Sequence, residues 1–263
     1  MSNASQTLSV AIVAMDEEAN LSRTLASVSW ADEIVVVDSG SKDRTCDIAR
    51  EYGARVIVEP WRGYVAQKQY AIDLCSQDWV LLLDADEEVS CGLAEEIRAV
   101  LADPDALNAY WTPRKNLFLG RWIKHGGFYP DPKLRLFRRG LGVVAGHDPH
   151  DRVDFKPGVA SRSRRFQNAL VHYTYPTLTY YLGHMNRYSS LGAREALAQG
   201  HRGFSVASIL LRPLATFVYN YIFRLGFLDG REGLLLHLYH AVYVSWKYAK
   251  AWELARSEQV SRG

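Results

Sequence analysis

The chain is poor in cysteine and in long apolar runs, and it has no glycine-rich phosphate loop. Its three cysteines, Cys46, Cys75 and Cys91, form no CxxC pair and no even-numbered framework. A disulfide scaffold and a cysteine zinc site are therefore excluded, and a reducing compartment is the default expectation. No uninterrupted apolar stretch reaches the roughly 18 residues that announce a membrane span. The first residues lack the basic stretch, apolar run and small-residue cleavage pattern of a secretion signal. No GxGxxG follows Val13 and no GxxxxGKS/T occurs anywhere, which removes most support for dinucleotide-binding and P-loop chemistry. Nucleic acid is not an expected partner, because no helix-turn-helix, finger or paired aromatic RNA motif accompanies the basic residues.

What is present is enough for a sizeable core. The 263 residues are 48% hydrophobic and 23% charged, as in a globular chain of one large or two small domains. A net charge of +2 conceals a strong asymmetry: residues 1–110 carry 8 basic and 20 acidic side chains, residues 111–170 carry 13 and 4, and residues 171–263 carry 10 and 5. An acidic front half beside a basic middle suits a site with a cation on one side and anionic groups on the other.

The front half alternates regularly. Leu8–Ala14, Ile34–Asp38, Arg55–Glu59 and Trp79–Asp84 read as apolar strands. Between and after them lie helices: one capped by Asn20, one opened by Asp43, one over Val65–Leu74 and one near Gly92–Leu101. Apolar strands without polar alternation, separated by helices, predict an α/β fold with a mostly parallel central sheet covered on both faces. After Pro104 the rhythm changes. Ala109–Thr112 reads as a strand, and Pro113–Gly158 as long loops with short strands. Lys133–Arg139 (KLRLFRR) alternates apolar and basic residues, as an edge or half-buried strand with a basic face does. A helix is expected over Thr177–Gln199, then amphipathic stretches at Phe204–Leu225 and Arg231–Arg256, punctuated by Gly226–Gly230 (GFLDG).

In parallel sheets, ligands bind beyond the carboxyl ends of the strands. Asp16 and Glu17 follow the first strand, Asp38 ends the second, and Asp84 and Asp86 close the fourth. Charges at several strand ends need water, a cation or a donor. The Asp84-Ala85-Asp86 arrangement suits Mg²⁺ or Mn²⁺, hard ions that keep waters and bind substrate phosphates. The segments LSVAIVAMDEEAN (8–20), IVVVDSGSKDRT (34–45), GYVAQKQYA (63–71) and LLLDADEE (81–88) together resemble the inverting family 2 glycosyltransferases, whose nucleotide-sugar domain is the GT-A fold. WTPRKNLF (111–118), GGFYPDPKLRLFR (126–138), His172-Tyr173 and LGFLDGREG (225–233) are most similar to the bacterial lipopolysaccharide core β-1,4-glucosyltransferases.

The resemblance implies roles at matching positions. Asp16 and Glu17 would contact the nucleotide, Asp38 the uracil edge, and Asp84 the ribose and metal. Asp86 would be the principal ligand of Mg²⁺ or Mn²⁺. Lys68 would lie near the nucleotide of a UDP-sugar donor; from its chemistry alone it would neutralise phosphate or pair with the acidic rim. Arg135, with Arg114, Arg121 and Lys124, forms a basic patch suited to diphosphate or an anionic acceptor, or to balancing the acidic half. His172 would sit near the diphosphate or serve as a structural histidine.

Direct displacement at a sugar needs a base for the acceptor hydroxyl. His147-Asp148-Pro149-His150-Asp151 crowds two imidazoles and two carboxylates together. Within it, Asp151 is the expected base, Asp148 the runner-up, and His150 their neighbour. The resembling group has a His-Glu pair where this chain has His150-Asp151, one methylene shorter. Zinc would also suit this cluster, but no third ligand-rich segment supports it.

Two domains are expected: a GT-A catalytic domain over 1–175, with a nucleotide-sugar half (1–110) and basic acceptor-side loops (111–175), and a helical extension over 176–263. The extension mixes tyrosine, tryptophan and arginine with aliphatics, which suits a bilayer interface, a sheet cover or a dimer contact alike. With lipid-linked acceptors in the resembling group, the expected place is the cytoplasmic face of a bacterial inner membrane. The function so implied is metal-dependent, inverting transfer of a hexose, above all glucose from UDP-glucose, to a lipopolysaccharide inner-core sugar. A sugar-phosphate nucleotidyltransferase and a non-enzymatic carbohydrate- or membrane-binding module are the alternatives. Donor sugar, acceptor hydroxyl and oligomeric state are not readable from the residues.

Overall fold

The front half builds one sheet. In chain order it contains β1 (Leu8–Ala14), α1 (Leu21–Ser27), β2 (Glu33–Asp38), α2 (Thr45–Glu51), β3 (Arg55–Val58), α3 (Tyr64–Asp73), β4 (Trp79–Asp84), β5 (Glu87–Val89) and α4 (Cys91–Ala102). There follow β6 (Ala109–Thr112), β7 (Arg114–Phe118), β8 (Arg121–Trp122), β9 (Lys133–Arg138), the hairpin β10 (Gly142–His147) and β11 (His150–Phe155), then β12 (Ser163–Arg165) and β13 (Leu170–Tyr175). The last part is helical: α5 (Leu178–Ala198), α6 (Arg212–Phe217) between π-helical turns at Ala207–Leu211 and Val218–Phe223, a 3₁₀ turn at Gly226–Asp229, and α7 (Gly230–Val260). This computed structural model describes residues 6–147, 150–158 and 162–260. It divides into two units, Met1–Lys115 with Asp131–Tyr173, and Asn116–Pro130 with Thr174–Gly263.

In the first unit, among the described residues, seven strands lie in the order β12-β6-β9-β4-β1-β2-β3. β4, β1, β2 and β3 run parallel, whereas β9 is antiparallel to both β4 and β6. The sheet is thus mixed and largely parallel, with both faces covered. Alternate residues of each strand serve opposite faces. Val10 and Ile12 of β1 and Val36 of β2 pack with Leu25 of α1, Ile48 of α2 and Leu93 and Ile97 of α4. Ala11, Val35, Val37 and Leu82 pack on the other face with Ala71 and Ile72 of α3 and with Val144 and Val153 of the hairpin. That two-sided burial is why these strands read as continuous apolar runs.

Four expectations are corrected here. β9 is neither an edge nor a half-exposed strand: it is inserted between β4 and β6, and Arg135 is buried. Residues 113–158 contain four strands of five or six residues, β7, β9, β10 and β11, because this segment supplies a sheet strand and a covering hairpin. Asn20 occupies the N-cap position of α1 without capping it, since its amide donates to Glu17 Oε2 at 2.9 Å. Asp43 does not open α2 as a helical residue; its Oδ1 accepts from the Thr45 N–H at 3.0 Å just before the helix.

In the second unit α5 packs along α7, and Tyr181 and Met185 meet Leu236, Phe118 and Ile123 in an apolar cluster. Thr177 caps α5 by accepting from the Tyr180 N–H. The buried Asp229 of GFLDG accepts from the backbone N–H groups of Lys124 and His125.

Candidate active site

β1, β2 and β4 end at the same edge of the sheet. In register, Ala14 lies opposite Asp38 and Val13 opposite Asp84. The turns beyond those ends are laced together. Asp38 accepts from the Gly40 and Ser41 N–H groups at 2.9 Å and from the Ser41 hydroxyl. Gly40 takes φ +93°, a left-handed value that a side chain would strain. Ser41 Oγ accepts from the Asp16 N–H at 2.8 Å, and Asp16 Oδ1 accepts from the Lys42 N–H at 2.8 Å. The Glu17 N–H donates to Thr45 Oγ1. Asp16 and Asp38 are thus turn-building carboxylates on adjoining loops.

The charged centre lies at the end of β4. Asp84 is 2.6 Å from Arg135 and 2.8 Å from Lys68, and Lys68 is also 2.9 Å from Asp151. Lys68 projects from α3, Arg135 from β9 and Asp151 from β11. Behind Asp84 sits Glu87, whose side chain is fully buried; it holds Arg135 at 2.6 Å and Arg114 at 3.1 Å, and accepts from the Asp84 N–H at 3.0 Å. Arg114 grips Asp131 at 2.5 Å, and Lys133 lies 3.3 Å from the same carboxylate. Asp84, Glu87, Asp131 and Asp151 thereby balance Lys68, Arg114, Lys133 and Arg135, leaving the network formally neutral.

Burial alone would raise the Asp84 carboxyl, but Arg135 and Lys68, with Arg114 behind them, hold it well below the usual carboxylate range. Burial works against the Lys68 ammonium, yet Asp84 and Asp151 push its pKa up despite Arg135. Asp86 pairs with His172 Nε2 at 3.3 Å. Burial opposes both charges of that pair, but each partner stabilises the other, so Asp86 is lowered and His172 raised.

Glu17 behaves differently. Burial raises its carboxyl from 4.5 to about 7, helped by the charges of Asp86, Asp43 and Asp84 and opposed by the Asn20 amide. Below pH 4.5 the group is protonated in both folded and unfolded chains and contributes no difference. Between 4.5 and about 7 only the unfolded chain releases the proton, so stability falls as pH rises, then levels off above about 7. Glu17→Gln should remove this slope, so that the stability gained by the variant over the parent in urea melts grows from pH 5 to pH 7.5. An equal difference at both pH values would refute the buried, protonated state.

Lys68, Asp84, Arg135 and Asp151 thus share one ion network, Asp86 and His172 form a pair beside it, and Glu17 lies within their field. Asp16 and Asp38 join the same edge through Ser41. Asp148 lies outside the described residues, as does the side chain of His150, whose backbone begins β11. Glu87 and Asp131 are additional members. Glu87 stands inside LLLDADEE, and a carboxylate three residues after Asp84 that caps its N–H is a local signal for the first of them.

Among the described residues no three His, Cys, Asp or Glu side chains form a metal cage. A cage is not what a hard divalent ion shared with phosphate requires; one or two carboxylates suffice. Asp86, with Asp84 at its flank, fits that donor set.

Residues 9–182 match the family model described as Glycosyl transferase family 2. An uncharacterized glycosyltransferase of Rickettsia typhi is 32% identical over 94% of this chain and 87% of its own length. The lipopolysaccharide core biosynthesis glycosyltransferase LpsC of Rhizobium meliloti is 30% identical over 94% of this chain and 92% of its own. Among solved structures, a glucosyl-3-phosphoglycerate synthase of Mycobacterium tuberculosis aligns with 43% of this chain and 44% of its own at 25% identity, with a TM-score of 0.35; nothing further rests on so low a score.

Proposed function

The chain belongs to glycosyl transferase family 2, and from that premise we propose that it transfers a hexose from a UDP-sugar, above all UDP-glucose, to a lipopolysaccharide inner-core sugar with inversion. The observation that carries the reading is the convergence of Asp38, Asp84 and Asp86 on one sheet edge with Lys68 and Arg135 facing Asp84. The core-biosynthesis relative supports the acceptor class.

In this reading Asp16, Glu17 and Asp38 line the nucleoside side, while Lys68 and Arg135 present positive charge to the diphosphate. Because the network around Asp84 is already neutral, a diphosphate needs further positive charge. Asp86, with Asp84, would hold Mg²⁺ or Mn²⁺, which supplies that charge as the leaving group departs. Asp151 takes the proton from the acceptor hydroxyl, and in-line placement of acceptor oxygen and anomeric carbon gives inversion without a covalent intermediate. Lys68 ties Asp151 to Asp84, so the base and the diphosphate site share one cation. His172 steadies Asp86.

The test is product analysis with a panel of UDP-hexoses and defined core acceptors, run for the parent and for Asp151→Asn. The variant should bind UDP within about twofold of the parent and lose transfer by roughly 10²–10⁴-fold. Undiminished transfer by Asp151→Asn would move the base elsewhere, Asp148 being the next candidate. No product with any UDP-hexose would refute the donor class.

A further inference from the structure

Residues 204–228 present an unusual outer side. α6 and the π-helical turns on either side of it bury Ser208 and Pro213, and the Ser245 hydroxyl donates to the Ile209 carbonyl at 2.9 Å. Leu210, Leu211, Leu214 and Phe223 are 62%, 61%, 59% and 72% exposed, and Phe204 and Leu228 are exposed as well. Leu210 and Leu214 are four residues apart, the spacing that keeps side chains on one helix face. Large exposed apolar side chains concentrated in one short segment mark an interaction site.

Charge identifies the partner. No acidic residue occurs between Glu195 and Asp229, while Arg202, Arg212 and Arg224 do; Arg202 pairs with Glu258 of α7 at 3.6 Å, which leaves Arg212 and Arg224 for a partner. Arg212 and Arg224 are exposed and lie against the rings of Tyr248 and Tyr219. Apolar side chains flanked by arginines, with no carboxylate among them, complement an anionic headgroup layer over hydrocarbon. Two copies of this face brought together would oppose their arginines. No helix among the described residues is long and apolar enough to cross a membrane, so the segment would lie in the interface plane. We propose that this outer side of residues 204–228 seats the protein on an anionic lipid bilayer. The inference is independent of which sugar is moved.

The experiment is flotation of the full chain with vesicles of phosphatidylethanolamine and phosphatidylglycerol, against vesicles of phosphatidylcholine alone. The parent should float with the anionic vesicles and lose at least tenfold in partitioning on the neutral ones. Leu211→Glu/Phe223→Glu should lose at least tenfold on anionic vesicles while keeping the parent's circular dichroism and melting temperature, since both side chains are exposed. Arg212→Gln/Arg224→Gln should lose roughly fivefold per arginine, and 0.5 M salt should weaken the parent in the same direction. The proposal is overturned if the parent fails to float, if the double glutamate variant floats like the parent, or if light scattering shows a dimer that the glutamates dissolve while vesicle binding is absent. That last result would assign the face to a second copy.

Discussion

Asp86→Ala is expected to lower transfer by roughly 10²–10³-fold while shifting the melting temperature by no more than about 2 °C. The asymmetry follows from the partner. Asp86 faces His172, whose raised pKa depends on that carboxylate. Once the carboxylate is gone the imidazole sheds its proton and remains buried as a neutral group at little cost. The loss therefore falls on the bound diphosphate, not on the fold. Initial rates at saturating donor across a Mg²⁺ or Mn²⁺ titration, with a parallel melt, check this. Parent-level activity would contradict the assignment of Asp86, and a large drop in melting temperature would make the residue structural.

Glu87→Ala should behave in the opposite way, costing about 3–5 kcal/mol of stability. Its carboxylate is fully buried between Arg114 and Arg135. Guanidinium groups cannot relieve the lost counter-charge by deprotonating, so Arg135 and Arg114 would stay charged with only Asp84 and Asp131 to pair them. Glu87→Gln, which still accepts a hydrogen bond, should lose less. Urea unfolding at pH 7 distinguishes the three proteins. A change below about 1 kcal/mol for the alanine variant, the range of an exposed ion pair, would mean that Glu87 does not hold the two arginines. The two predictions separate neighbouring acids of one short motif: one tests a role in holding ligand, the other a role in the scaffold that positions Asp84.

The acidic edge was legible because its signals are local. β1, β2 and β4 are continuous apolar runs, and each delivers a carboxylate as the run stops. The rest depended on pairing across long sequence distances. KLRLFRR alternates as an edge strand would, and nothing within it reveals that β4 and β6 close on both its flanks. Arg135 consequently reads as a surface charge, although burial between Asp84 and Glu87 is what gives it a role. Lys68 was legible as a cation beside the acidic rim, but not its simultaneous hold on Asp151, 83 residues later. The helical segment after Phe204 was recognisable as amphipathic. Which of its apolar side chains stay exposed was not, since that depends on how the segment packs against α7.

The reversed direction of β9 has a consequence for how the protein comes into being. Its first residues, Lys133 to Arg135, reach the carboxyl edge of β4 only because the strand runs backwards along it. During synthesis, β1 to β4 emerge well before the guanidinium groups that neutralise Asp84 and Glu87. Until then β4 lacks its neighbour on that flank, Glu87 stands without its counter-charges, and Asp84 has only that of Lys68. A fragment ending near residue 110 would keep this half-finished condition permanently: its hydrogen-bonding edge would stay open to other chains, and its acids would repel one another. The nucleotide-side half alone would therefore leave β4 with an open flank, and ribosomal release past residue 138 is the earliest point at which β9 can cover it.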